Sequence, residues 1–164
     1  MPQGWYRITE TLKMKPDTKL IGLHPFGTQF RLDESTAAFS GFGGPKAMVE
    51  SSEGGANMLM GIGINTGGYN YRAVGVKWMA NADSYMNDVK FVGGHGGLWK
   101  PKPGVEEPRG RWNRPARISS PDNPVAASGM DLAWDNQYWS LWVTNNGGGT
   151  FKDIWTASTY ATNG

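Results

Sequence analysis

The chain has 164 residues, a formal net charge of +2, 12% aromatic residues and no cysteine. That length suits one domain, burying about 70% of its unfolded surface. The charge is too small to argue for nucleic acid, the missing thiols exclude disulfides, thiol catalysis and cysteine-ligated metals, and no apolar run approaches the ~18 residues of a membrane span.

Residues 1–50 hold short β-type runs broken by turn residues: 6–9, 19–23, 29–32, 39–42 and 47–49. Pro16-Asp17 and His24-Pro25-Phe26-Gly27 punctuate them. No stretch repeats apolar residues at helical spacing over three turns. Residues 56–92 carry the clearest alternation. Met58, Met60, Ile62 and Ile64 are expected on one face, as are Val74, Val76 and Trp78, and then Val89 and Phe91.

Residues 93–136 interrupt this pattern. They open GGHGG and contain Pro101, Pro103, Pro108, Pro115, Pro121 and Pro124 without sustained alternation. They read as an irregular inserted loop, a kind of segment that is usually functional or disordered. The basic side chains Lys100, Lys102, Arg109, Arg111, Arg114 and Arg117, set against Glu106 and Glu107, read as a solvated part of it.

Alternation resumes at 137–156 (QYWSLWVTNNGGGTFKDIWT), which repeats 72–91 (RAVGVKWMANADSYMNDVKF) in step. One shift of 65 positions lays Val76 on Leu141, Trp78 on Val143, Asp88 on Asp153 and Val89 on Ile154. A shift of 27 lays Ile62 on Val89 and Ile64 on Phe91. Short strands repeating at such spacing stack on their neighbours to bury a shared face. The expected fold is therefore all-β: a right-handed parallel β-helix, read as one unit over 1–164 with 93–136 inserted. A β-sandwich is the competing fold, and it would favour hairpins and antiparallel pairs. No polar cap is evident, so the chain reads as part of a longer β-helix, or as a protomer with ends covered by end-to-end association.

The strings TLKMKPDTKLIGLHPFGTQF, GGANMLMGIGINTGGYNYRAVGVKWMANADSYMNDVKFVGGHG and YWSLWVTNNGGGTFKDIWTAST resemble bacterial proteins of the pectate-lyase superfamily. The likeness is to the glycoside-hydrolase-like branch related to polygalacturonases and exo-β-1,3-glucanases. It covers most of 4–163 outside the proline-rich insertion and corresponds to a central segment of such proteins. It implies a parallel β-helix, an extracellular or secreted setting and polysaccharide or oligosaccharide substrates. It assigns no catalytic residue in this segment.

On a β-helix, outward side chains of successive coils form columns ~4.8 Å apart. If Val89 and Ile154 face inward, Asp88 and Asp153 share an outer column with Gly61, next to a column of Gly63, Lys90 and Trp155. Carboxyls about 5 Å apart suit a retaining glycosidase, and like charge raises one pKa to make the acid. The plainer account is a carboxylate that caps turn amides. Asp135, flanked by Trp134, Tyr138 and Trp139, combines an acid with sugar-stacking rings. His95 lies among four glycines that allow close backbone approach to a ligand, or it simply closes a turn. Asp83 in ANADSYMND is a weaker candidate, turn carboxylates being mostly local acceptors. Trp142, Trp155, Lys90, Trp134 and Trp99 are the expected substrate-binding side chains, while Trp78 has core parity.

No metal site or cofactor motif is expected: H-E-x-x-H, G-x-x-x-x-G-K and G-x-S-x-G are all missing. Lyase chemistry of the calcium-assisted type is disfavoured by the lack of a dense acidic cluster. The expected function is a secreted polysaccharide hydrolase using carboxylate acid–base chemistry. The alternative is a non-catalytic carbohydrate-binding or adhesive β-helix.

Overall fold

The computed structural model describes residues 1–40, 43–67, 70, 72–91 and 137–156, together with the backbone pairing of 100–101 and 130–131. Among these residues there is no helix. The chain runs β1 (Gly4–Arg7), β2 (Leu12–Lys13), β3 (Lys19–Ile21), then β4 (Thr28–Arg31), β5 (Lys46–Glu50), β6 (Met58–Met60). It continues β7 (Gly63–Asn65), β8 (Ala73–Trp78), β9 (Tyr85–Asn87) and β10 (Lys90–Phe91). β11 (Lys100–Pro101) and β12 (Met130–Asp131) follow, and β13 (Trp139–Val143), β14 (Thr150–Lys152) and β15 (Trp155–Thr156) complete it.

Three sheets take these strands in rotation. The first is β1-β4-β7-β10-β15, the second β2-β5-β8-β13 and the third β3-β6-β9-β14. Every pair within them is parallel. Each circuit of the chain adds one strand to each sheet, an arrangement compatible with an all-β parallel solenoid. An antiparallel sandwich does not fit it. β11 and β12 pair antiparallel outside the three sheets.

The register follows the sequence repeats. Leu141 lies opposite Val76, Val143 opposite Trp78 and Trp155 opposite Lys90, the shift of 65. Phe91 lies opposite Ile64 and Tyr85 opposite Met58, the shift of 27. Like residues therefore stack inside. Tyr6, Phe30, Ile64 and Phe91 form one column, with the Tyr6 and Phe30 rings edge to face at 6.2 Å. Leu20, Leu59 and Met86 form another, with Phe151 at its exposed end. Trp78 is fully buried and donates its indole N–H to the Gly148 carbonyl at 2.8 Å.

Polar side chains turn the corner between the second and third sheets. Buried Asn57 accepts from the Ser52 amide and hydroxyl, and it donates to the Lys15 and Thr18 carbonyls of the coil below. Its backbone amide donates to Ser84 Oγ of the coil above. One side chain thus ties together polar groups of two coils. At the N-terminal end, the Lys46 ammonium hydrogen-bonds Glu10 and holds that carboxyl below its ordinary range.

Three expectations change. Met58 and Met60 do not share the inner face with Ile62 and Ile64; Leu59 is the buried residue of β6. Gly61 has φ +63°, and this left-handed corner breaks the two-residue alternation. Val76 and Trp78 belong to the core cluster, whereas Val74 is buried outside it. The ladder has no pair at Met48, Gly75 and Ser140, and a Cβ on Gly75 would lie 2.9 Å from Phe91, so inward parity shifts by one residue there. Phe39 is a buried turn residue rather than part of a strand, and β2 was not anticipated.

Parity is measurable. Leu59→Ala should cost about 2–5 kcal/mol in urea unfolding and Met60→Ala less than about 1.5 kcal/mol. The reverse order would place the methionine face inside.

Candidate functional site

The corner between the third and first sheets repeats in each coil. The Gly22 amide donates to the Met60 carbonyl at 2.8 Å, Gly61 to Asn87 at 3.1 Å and Asp88 to Lys152 at 3.1 Å. Gly22, Gly61, Asp88 and Asp153 therefore stack in one column. Asp88 and Asp153 have φ 49° and 51°. Aspartate is among the few side-chain-bearing residues that enter this region readily. Local backbone geometry thus tolerates a carboxylate at both corners, and the register puts the two on consecutive coils, ~4.8 Å apart at the backbone.

Each carboxylate has a lysine beside it. Lys90 Nζ is 3.5 Å from Asp88 Oδ1, and Lys152 Nζ is 3.9 Å from Asp153 Oδ2. The carboxylate side chains are 41% and 63% exposed. They stand on an open corner.

Past the corner, the outer face of the first sheet carries Trp5, Gln29, Gly63, Lys90 and Trp155 in one column. Gly63 is required here: a Cβ would fall 2.1 Å from the Pro25 carbonyl oxygen. The 24–27 turn folds over that gap. His24 Nδ1 accepts from the Phe26 amide at 3.3 Å, and Gln29 Nε2 donates to the Phe26 carbonyl at 3.3 Å. Phe26 is thereby held edge to face with Trp155, centroids 6.3 Å apart, with both rings exposed. Trp5, also exposed, lies against the Arg31 guanidinium at 4.2 Å. Hydrophobic rings held in solvent by a built turn form a stacking surface.

The sequence candidates divide as follows. Asp88, Asp153, Lys90 and Trp155 come together on neighbouring columns. Trp142 lies on a different wall, in the second sheet, where its ring meets the Lys77 ammonium at 5.3 Å and the Trp139 ring at 5.1 Å. Asp83 accompanies an Asx turn in which its own amide donates to Asn81 Oδ1. His95, Asp135, Trp99 and Trp134 lie outside the described residues. Phe26 was missed: HPFG signals a turn, and only the fold shows that its ring reaches a tryptophan more than a hundred residues later in the chain.

Among the described residues, no group of His, Asp or Glu is arranged to hold a metal ion, and no helix is long and apolar enough to cross a membrane. Comparison with protein-family models, curated proteins and solved structures found no match.

The corner account has a direct test. Asp88→Gly should leave stability within about 1 kcal/mol, because glycine meets the left-handed geometry without strain and a surface ion pair is worth little. Asp88→Val should lose about 1–2 kcal/mol. Urea unfolding of the two variants reads the difference.

Proposed function

We propose that this chain is a right-handed parallel β-helix that engages polysaccharide outside the cell through the outer wall carrying Phe26, Lys90 and Trp155 and its Asp88–Asp153 corner. Right-handedness follows from the strong crossover preference of parallel strands. The observation that carries the reading is the exposed Phe26–Trp155 ring pair beside Lys90 and the Asp88–Asp153 corner. Aromatic faces stack on the apolar faces of pyranose rings, while aspartate and lysine exchange hydrogen bonds with hydroxyls. The resemblance of these strands to polysaccharide-active β-helix proteins points the same way.

Binding is favoured over hydrolysis at this corner. A glycosidase acid needs its pKa raised by burial or like charge, whereas these carboxylates are open to solvent and each has a lysine neighbour. One observation keeps the hydrolase reading in play: Asp88 and Asp153 lie on consecutive coils, compatible with the ~5–5.5 Å carboxyl separation of retaining enzymes.

The experiment is retention of the full chain on insoluble β-glucan and pectin, with reducing-sugar release assayed in parallel. Trp155→Ala and Phe26→Ala should each weaken retention about three- to tenfold. Unchanged retention in both would remove this wall as the contact surface. Sugar release abolished in both Asp88→Asn and Asp153→Asn would establish the hydrolase reading instead.

A further inference from the structure

A second feature lies on the outer face of the third sheet, on the other side of the carboxylate corner. Lys19, Met58 and Tyr85 occupy one outward column there. With Asp17, Asn57 and Asp83 they line a cleft of about 230 Å³. The floor is built from the fold upward. Asn57 is locked by bonds to the coils above and below. Asp17, at φ 61°, turns the chain and donates its amide to the Ala56 carbonyl at 2.8 Å. Asp83 is set by the Asx turn on Asn81. The cleft is therefore shaped by backbone and buried polar bonds, not by mobile side chains alone.

Its size and chemistry restrict what it takes. Sites for drug-sized ligands run from ~300 Å³ upward, so this one admits a single small ring. Its wall offers an aromatic ring and a thioether, while its rim offers two carboxylates and one ammonium. Carboxylates accept from hydroxyls, an ammonium donates to them, and a phenol ring gives a pyranose an apolar face to rest on. Two acidic groups against one basic group oppose an anionic ring. The column of Met58 and Tyr85 is three residues from the corner at Gly61 and Asp88, about 10 Å along the strands. The outer surface thus runs from the cleft, past Asp88 and Asp153, to Trp155.

The geometry points to this cleft as a subsite for one neutral pyranose residue at the end of the glycan-binding surface, selecting neutral over uronic sugar. This rests on the polysaccharide reading above. The selection counters the pectin-type substrates that the resemblance to pectate lyases and polygalacturonases would imply.

The test uses the full chain with ¹³C-methyl methionine and two probes, D-glucose and D-glucuronate, alongside glucan retention. Glucose should shift the Met58 methyl resonance and glucuronate should not. The double substitution Asp17→Asn with Asp83→Asn should weaken the glucose response about tenfold, the scale of losing one charge-assisted hydrogen bond. Asparagine tolerates the left-handed geometry of residue 17, so the fold is kept. Trp155→Ala should leave the response unchanged. No Met58 shift with glucose in a chain that still binds glucan would overturn the subsite and leave the wall intact. A Met58 shift without glucan retention would do the opposite. A response to glucuronate as strong as that to glucose would refute the selectivity.

Discussion

The structure depends on one repeated contact, backbone resting on backbone where the third sheet turns into the first. Each corner amide reaches the carbonyl of the residue before the next corner, from Gly22 to Met60, Gly61 to Asn87 and Asp88 to Lys152. At the lower two levels the fit leaves no room for a side chain: a Cβ on Gly61 would meet the Gly22 carbonyl oxygen at 2.4 Å. At Gly61, Asp88 and Asp153 the corner residue lies in the left-handed region, and it resets which side chains face in. Leu59 before the corner and Ile62 after it are both buried, as are Met86 and Val89 one coil on. From Gly61 onward successive coils repeat the same break, so their inner columns stay aligned.

Most of the register was legible in the sequence. The shifts of 27 and 65 appear there as matched strings, and the same numbers set the strand pairs. A parallel stack buries like against like, so the chain must repeat its own pattern. The earlier coils were less readable because their spacing varies: Gly4 lies opposite Thr28, a shift of 24, but Lys19 lies opposite Met58, a shift of 39. Unequal connections between strands hide a repeat even where the coils stack evenly. Facing was misread at Met58 and Met60 because period two was carried through Gly61, where the backbone changes hand. The carboxylate column and its neighbours Lys90 and Trp155 were visible by the same register argument. The Phe26 contact and the Asp17–Asp83 cleft were not, since both join coils through loops that lack the repeat.

An outer wall of this kind has a particular functional character. Its strands offer rows of side chains at fixed spacing, ~4.8 Å between coils and ~6.6 Å along each strand. Such a grid suits an extended ligand that meets several weak contacts in sequence rather than one deep pocket. The Pro25 carbonyl takes the space that Gly63 leaves, and the same turn carries Phe26 to Trp155, so that a turn from one coil supplies a ring to the level of another. The cleft at Tyr85 adds a bounded end to an otherwise open face.

The change from glycine to aspartate along the corner column bears on which of these roles the carboxylates serve. Glycine meets the left-handed requirement at no steric cost, and the coil below uses it at Gly61. Aspartate at the same corner carries a residual conformational cost. The ion pairs with Lys90 and Lys152 are solvent-exposed and return at most about 1 kcal/mol each. Corner stability alone therefore does not call for two carboxylates on consecutive coils. What they add is a pair of acceptors projecting from the edge where the third sheet meets the ring-bearing face of the first. In the proposed role, that position would offer a hydroxyl-rich ligand crossing the edge two charged acceptors without a cavity.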